Sequence, residues 1–341
     1  MKRALILLIA TLFAATVLAS CTLPAVDTGI PDPDDDRLQV IATVFPQYDF
    51  IRQIAGDRVA LRMLISPGAE SHSFDPAPRD MVALNHADLL VYVGGHGDEW
   101  VERILETLDN DNLRTVAMLD MIDELISIDD HDYAQDHYHS HDHSHDHGHD
   151  HDDHEEEHDD SHDHEYDEHV WTSPHNAISI VRELTAILSE MDLENAEYFR
   201  ANAESYVEEL IGLTEAFSEV VNESVRNTVI FADRFPFRYL MTTFGLNARA
   251  AFPGCSAETQ ASPGDIALLI GVIDAERIPV IFTIEFSNQQ IANAIAQDVE
   301  GDVRILELHS AHNLSAADFN AGVTYVDIMM RNVENLREAL S

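Results

Sequence analysis

An α/β fold of two parallel-sheet lobes, joined by a long rigid helix and separated by a cleft, is the architecture this sequence predicts. Three observations carry it. Short β-branched runs alternate with helical stretches from Arg37 to Val93. An amphipathic stretch without proline then runs from Leu193 to Ser224. The alternation resumes at Thr228 and continues through the rest of the sequence. Strands alternating with helices at this spacing imply parallel sheets, because a parallel pair needs a crossover that a helix supplies. The chain has 341 residues, 45% of them hydrophobic. That allows about two domains of roughly 100–200 residues, with enough apolar material for their cores.

The elements follow in order. Leu38–Val44 reads as a strand, Tyr48–Gly56 as a helix, Val59–Ile65 as a strand, Arg79–Asn85 as a helix and Asp88–Val93 as a strand. Pro174–Met191 is a helix that opens on proline, which suits a first turn whose N–H groups need no partner. In the long stretch Phe199, Ala203, Tyr206, Leu210, Leu213 and Phe217 recur every three or four residues, the period of one helix face, and only Gly212 interrupts. Strands then fall at Thr228–Ala232, Ala248–Phe252, Pro279–Thr283 and Val303–Leu308. They alternate with helices at Pro236–Phe244, Pro263–Glu276, Asn288–Gln297 and about Gly322–Leu340. The expected division is an N-terminal lobe over 37–192, a linking helix over 193–225 and a C-terminal lobe over 226–341.

The N-terminus reads as an export signal over residues 1–20. Lys2 and Arg3 precede an apolar run from Ala4 to Val17, too short to span a bilayer. The run ends in Leu18-Ala19-Ser20-Cys21, which resembles a bacterial lipobox, so Cys21 is expected to carry lipid and anchor the chain to the membrane. Residues 21–36, rich in Pro and Asp, read as a flexible tether. The only other cysteine, Cys255, is expected as a small buried residue at a turn, so a disulfide scaffold is excluded.

The formal charge is −44, from 63 Asp+Glu against 19 Lys+Arg. Such acidity excludes nucleic acid, whose phosphates need a basic face. Much of it is local. From Asp129 to His169 there are 18 acidic residues, 14 histidines and no Lys or Arg, so this stretch supplies −18 and leaves −26 elsewhere. Nothing apolar is available there to bury, and residues 129–168 are expected to be a disordered insertion. Neutral imidazole ligates zinc, nickel and copper, and the interleaved carboxylates attract any dication. The auxiliary metal-gathering histidines are His137, His139, His141, His143, His145, His147, His149, His151, His154, His158, His162 and His164.

A second group of candidates sits after predicted strands, where open parallel sheets bind ligands. Glu70-Ser71-His72-Ser73-Phe74-Asp75-Pro76-Ala77-Pro78 follows one strand, and Asp167-Glu168-His169-Val170-Trp171 follows the insertion. Asp233, Glu285 and His309 each follow a strand of the second half. His312 is near enough to His309 to compete with it. His96, in a glycine-rich loop, reads as a surface residue, and His86 and His175 as structural.

These motifs resemble the zinc/manganese substrate-binding lipoproteins of bacterial ABC importers, over nearly the whole chain after the signal. His72-Ser73-Phe74-Asp75-Pro76-Ala77-Pro78 resembles that family's His-x-(Phe/Tyr)-(Glu/Asp)-Pro-x-Pro, and Glu168-His169-Val170-Trp171 its Pro-His-x-Trp. A histidine-rich loop before the second motif is typical of the zinc-handling branch. The resemblance implies His72 and His169 as the first two ligands, and a membrane-anchored extracytoplasmic receptor, monomeric, that serves an ABC permease. It also puts Arg234 where a His or Glu ligand normally sits, and an arginine has no lone pair to offer. Asp233 or Glu285 is the expected carboxylate ligand, and His309 stands where the family has a final aspartate.

Three histidines and a carboxylate make a closed shell that suits Zn2+ and leaves no position for an activated water, so binding is expected and catalysis is not. Mn2+, which prefers oxygen-rich shells, is the alternative cargo. Surface metal buffering or adhesion is a further alternative, and a zinc hydrolase is the weakest, since no His-Glu-x-x-His arrangement occurs.

Overall fold

The computed structural model describes residues 35–69, 74–128, 166–252 and 261–341. The export signal, Cys21, nearly all of the tether, His72, Cys255 and the histidines from His137 to His164 lie outside the described residues. Two four-stranded sheets, both wholly parallel, form the frame. In the first half the elements are β1 (Leu38–Ala42), α1 (Phe45–Ala55), β2 (Val59–Met63), α2 (Pro78–Leu84), β3 (Leu89–Tyr92), α3 (Glu99–Leu105) and β4 (Arg114–Ala117). Two long helices follow, α4 (Pro174–Met191) and α5 (Ala196–Glu223). The second half holds β5 (Thr228–Phe231), α6 (Arg238–Phe244), β6 (Asn247–Ala250), α7 (Pro263–Glu276), β7 (Val280–Thr283), α8 (Gln290–Asp298), β8 (Arg304–Glu307), α9 (Ala316–Ala321) and α10 (Tyr325–Leu340).

Both sheets have one order, β2-β1-β3-β4 and β6-β5-β7-β8. In each, the chain leaves two neighbouring central strands toward opposite sides, which opens a crevice at their carboxyl ends. β1 and β3 flank that point in the first sheet, with Val40 paired to Leu89. β5 and β7 flank it in the second, with Phe231 paired to Phe282. Asp233 and Glu285 therefore stand on the two lips of the second crevice, each two residues past its strand.

One apolar cluster runs through both halves, from Val40, Phe50 and Val91 through Trp171 and Leu184 to Phe231, Phe282 and Leu336. Helix α5 supplies its middle. At 28 residues it is about 42 Å long. Its buried face is Phe199, Ala203, Tyr206, Leu210, Leu213 and Phe217, as the spacing predicts, and it packs on α4, α10 and α1. Smaller clusters cover the outer faces, around Leu84, Leu90 and Trp100 in the first half and around Ile230, Leu269 and Ile281 in the second.

Element ends follow from side chains that satisfy orphan backbone groups. The Gln47 Oε1 accepts the Thr43 and Val44 N–H groups at 2.9 and 3.1 Å and closes the start of α1. The C-terminal stretch differs from the single helix expected over Gly322–Leu340. Gly322 adopts a left-handed conformation (φ 75°) that ends α9. Thr324 and Asp327 then exchange hydrogen bonds at 3.0 Å and start α10 afresh. Both features are short-range chemistry that hydrophobic periodicity does not register. The insertion is also narrower than 129–168. Tyr166 bridges to Ser127, Asp167 is 5% exposed, and the chain from 166 onward belongs to the fold.

Two predictions follow from burial. Leu210 is fully buried in α5 while its neighbour Ile211 is 43% exposed. Leu210→Ala is expected to cost about 2–5 kcal/mol, and Ile211→Ala within about 0.5 kcal/mol, as read from urea unfolding. The second concerns the turn after β3, where the Asp98 carboxylate accepts the Val93 and Gly94 N–H groups at 2.6 and 3.2 Å. Burial pushes its pKa up from 3.8 to about 6. Between those values the unfolded chain has lost the proton and the folded chain keeps it, so this group's contribution is present at pH 4 and is lost as pH rises through 6. Asp98→Asn keeps an oxygen acceptor without the charge. It is expected to remove a decline of at most about 3 kcal/mol between pH 4 and 6.5, measured by unfolding of metal-free protein. Identical pH profiles for variant and parent would contradict it.

Candidate metal centre

His169 lies on a single 3-10 turn, Val170–Thr172, directly before α4. The turn is fixed by its own polar groups. Thr172 Oγ1 donates to the His169 carbonyl at 2.8 Å and Asn176 Nδ2 to the Val170 carbonyl at 3.0 Å. The imidazole is 5% exposed, and its Nδ1 lies 3.0 Å from Asp167 Oδ1, which also accepts the His169 N–H at 2.8 Å. A carboxylate accepts only, so it sets the tautomer with the proton on Nδ1 and the lone pair on Nε2. The other carboxylate oxygen lies 3.4 Å from Nε of Arg238, at the start of α6.

The loop after β8 faces this turn from the other half. The Trp171 indole N–H donates to the Ser310 carbonyl at 2.8 Å. The His312 ring stands edge-on to that of His169, with centroids 5.4 Å apart, and 5.1 Å from that of Trp171. Three contacts hold the loop. Phe45 N–H donates to the His312 carbonyl at 3.3 Å. Asn313 Nδ2 donates to the Ser66 and Ala69 carbonyls at 3.0 and 2.9 Å, so the loop grips the segment that runs into His72. The Glu285 carboxylate accepts the Ser310 N–H at 2.8 Å and the Ser310 hydroxyl.

The remaining candidates have work in the same loops. His309 Nδ1 accepts the Ala311 N–H at 3.0 Å, and its own N–H donates to Asn332 Oδ1 at 2.8 Å. A neutral imidazole that accepts at Nδ1 carries its proton on Nε2, so His309 must give up a bond before it can ligate. Asp233 accepts the Arg234 N–H at 2.9 Å and the Ser287 hydroxyl, which ties the ends of β5 and β7 together. Arg238, which by sequence is a natural partner for Asp233, is committed to Asp167 instead. Among the described residues no group of three or more His, Cys, Asp or Glu side chains is arranged to hold an ion, and His72 is not among them.

Glu168, beside His169, turns the other way, into the loop Gly94-Gly95-His96-Gly97. Its carboxylate accepts the Gly97 N–H, and a side chain at Gly97 would displace that carboxylate. Burial pushes the Glu168 carboxyl up to about 7. Three further described histidines make local contacts or face solvent. His96 is exposed and pairs with Glu99 at 2.6 Å, His86 bonds its own helix at the Val82 carbonyl, and His175 is exposed at the start of α4. Sequence reasoning missed Asp167 and Arg238. The signal for the first was an aspartate two residues before the ligand; for the second, a buried arginine 71 positions away, there was none.

Known proteins resemble the chain in sequence and in fold. Residues 40–339 match the family model of the zinc-uptake complex component A, periplasmic (ZnuA). The zinc-binding lipoprotein AdcA of Streptococcus pneumoniae is 28% identical over 327 residues, 94% of this chain and 60% of AdcA, so the chain spans well under two thirds of that relative. The high-affinity zinc uptake system protein ZnuA of Bacillus subtilis is 26% identical over 313 residues, 92% of this chain and 90% of the relative. The crystal structure of Zn(II)-bound AdcA from S. pneumoniae superposes with a TM-score of 0.68 at 26% identity, over 89% of this chain and 58% of that one. The two-sheet frame, the motifs at its strand ends and a family match over 300 residues lead to one assignment: the chain belongs to the periplasmic zinc-uptake component A (ZnuA) family.

Proposed function

We propose that this chain is an extracytoplasmic zinc receptor, tethered to the membrane by lipid on Cys21, that captures Zn2+ between its two halves and delivers it to an ABC permease. Its family is one of metal-binding transport receptors that work with such permeases. The observation that carries the reading is the pairing of His169 with His312 across the cleft. Two imidazoles sharing a tetrahedral zinc at about 2.0–2.1 Å have ring centres roughly 5 Å apart, and these stand at 5.4 Å. His169 is already oriented by Asp167, and the chain leading to His72 is bound to the loop that bears His312.

In this reading His72, His169 and His312 are the imidazole ligands. Glu285 and His309 hold the loop that presents His312. Asp233 braces the second crevice. The histidine tract gathers weaker ions, and the fold resumes after it at Tyr166, which lies three residues before His169 and bridges to Ser127.

Deletion of 131–164 is expected to abolish the weaker ions and to keep one tightly bound zinc per chain in titration calorimetry. Within that deletion His169→Ala is expected to lose the tight zinc. His312→Ala should weaken it at least about tenfold more than His309→Ala, as expected when a ligand rather than a supporting group is removed. Absence of tight binding in the deletion sinks the receptor reading, and the reverse order of the two histidine variants reassigns the ligand to His309.

A further inference from the structure

We infer that Asp167 and Arg238 form a positioning pair for the metal site, in which an arginine of the second half sets the zinc affinity of a histidine on the opposite side of the cleft without touching the ion. The inference rests on the reading of His169 as a zinc ligand. Asp167 is 5% exposed and Arg238 is 3% exposed, so both charges are buried. A buried carboxylate on an imidazole needs compensation, and the guanidinium at 3.4 Å from Oδ2 supplies it while Oδ1 stays on His169 Nδ1. The backbone of Asp167 is fixed as well. Its N–H donates to the Ile126 carbonyl at 2.9 Å, and its carbonyl accepts the Tyr239 hydroxyl at 3.0 Å. The Tyr239 oxygen in turn accepts the Ile126 N–H at 3.1 Å. Adjacent residues of α6, Arg238 and Tyr239, thus grip the side chain and the backbone of one aspartate.

Two consequences follow. The direction of the His169 lone pair is set by residues 69 and 70 positions downstream, so approach of the halves and preparation of the ligand are one event. The same aspartate ties Ile126, next to the Ser127–Tyr166 bridge, to the turn that bears His169.

The test uses the full chain without its signal, with zinc affinity read by competition against a chelator strong enough to strip the tract. Asp167→Asn keeps an oxygen for Nδ1–H and removes the charge; Arg238→Gln removes the compensating charge; Arg238→Lys retains it. The first two are expected to weaken zinc by about 10–100-fold with the metal-free melting temperature little changed, and Arg238→Lys to restore most of the loss. Asp167→Asn and Arg238→Gln that bind as tightly as the parent, while His169→Ala does not, overturn the pair and leave the zinc site standing. Affinity lost only in proportion to melting temperature across the three variants also overturns it, since that is a structural role. His169→Ala with the parent's affinity overturns the site itself.

Discussion

The hydrogen bond from the Trp171 indole to the Ser310 carbonyl joins the halves where their binding loops meet. Trp171 is fully buried, so the indole N–H has no water to fall back on and losing this partner would leave a buried donor unsatisfied. Its ring packs beside both the His169 and His312 rings, at 5.3 and 5.1 Å, and the three centroids form a near-equilateral triangle. Its carbonyl accepts the Tyr325 hydroxyl at 2.6 Å, and the Tyr325 N–H donates to Asp49 Oδ2 at 2.6 Å. A chain of buried polar contacts therefore runs from α1 through the start of α10 to the ligand turn and on to the loop after β8. Each link sits inside the apolar cluster common to both sheets, so the distance between opposed imidazoles is set by the packing of the whole molecule.

The strand and helix order was largely legible because the two periods, 2 and 3.6, are well separated, and because both sheets repeat one topology. The helices Pro174–Met191 and Pro263–Glu276 begin and end where their sequence predicts, each opened by a serine that caps and a proline that follows. What escaped was short or at an edge. β4 is an edge strand with half-exposed residues, and α3 is only seven residues long, so neither has a clear apolar period. The site was legible to the extent that its chemistry is local. The motif around His169 contains both the proposed ligand and the aspartate that orients it. Arg238 contributes from the far half, where only the fold brings it near. The preference for His312 over His309 in the proposed site rests on a single amide at 3.0 Å that takes up His309 Nδ1, a contact no residue pattern encodes.

The net charge of −44 divides along the same lines. The stretch from Asp129 to His169 carries −18 of it together with 14 histidines, and its described end begins at Tyr166, bridged to Ser127. The cleft itself is economical in charge: Asp167 is answered by Arg238, and both Glu285 and Asp233 are engaged by serine hydroxyls. Gathering by many exposed carboxylates and imidazoles, and holding by a few oriented groups, are different physical tasks. In the proposed reading they fall to different segments.

The account stands most directly on where a single equivalent of zinc comes to rest. A crystal structure of the chain, signal removed, with one zinc per molecule is predicted to place the ion between the halves, with His169 Nε2 and a His312 ring nitrogen both at about 2.0–2.1 Å. An ion held by tract histidines alone, or a cleft ion that His169 does not touch, would contradict it.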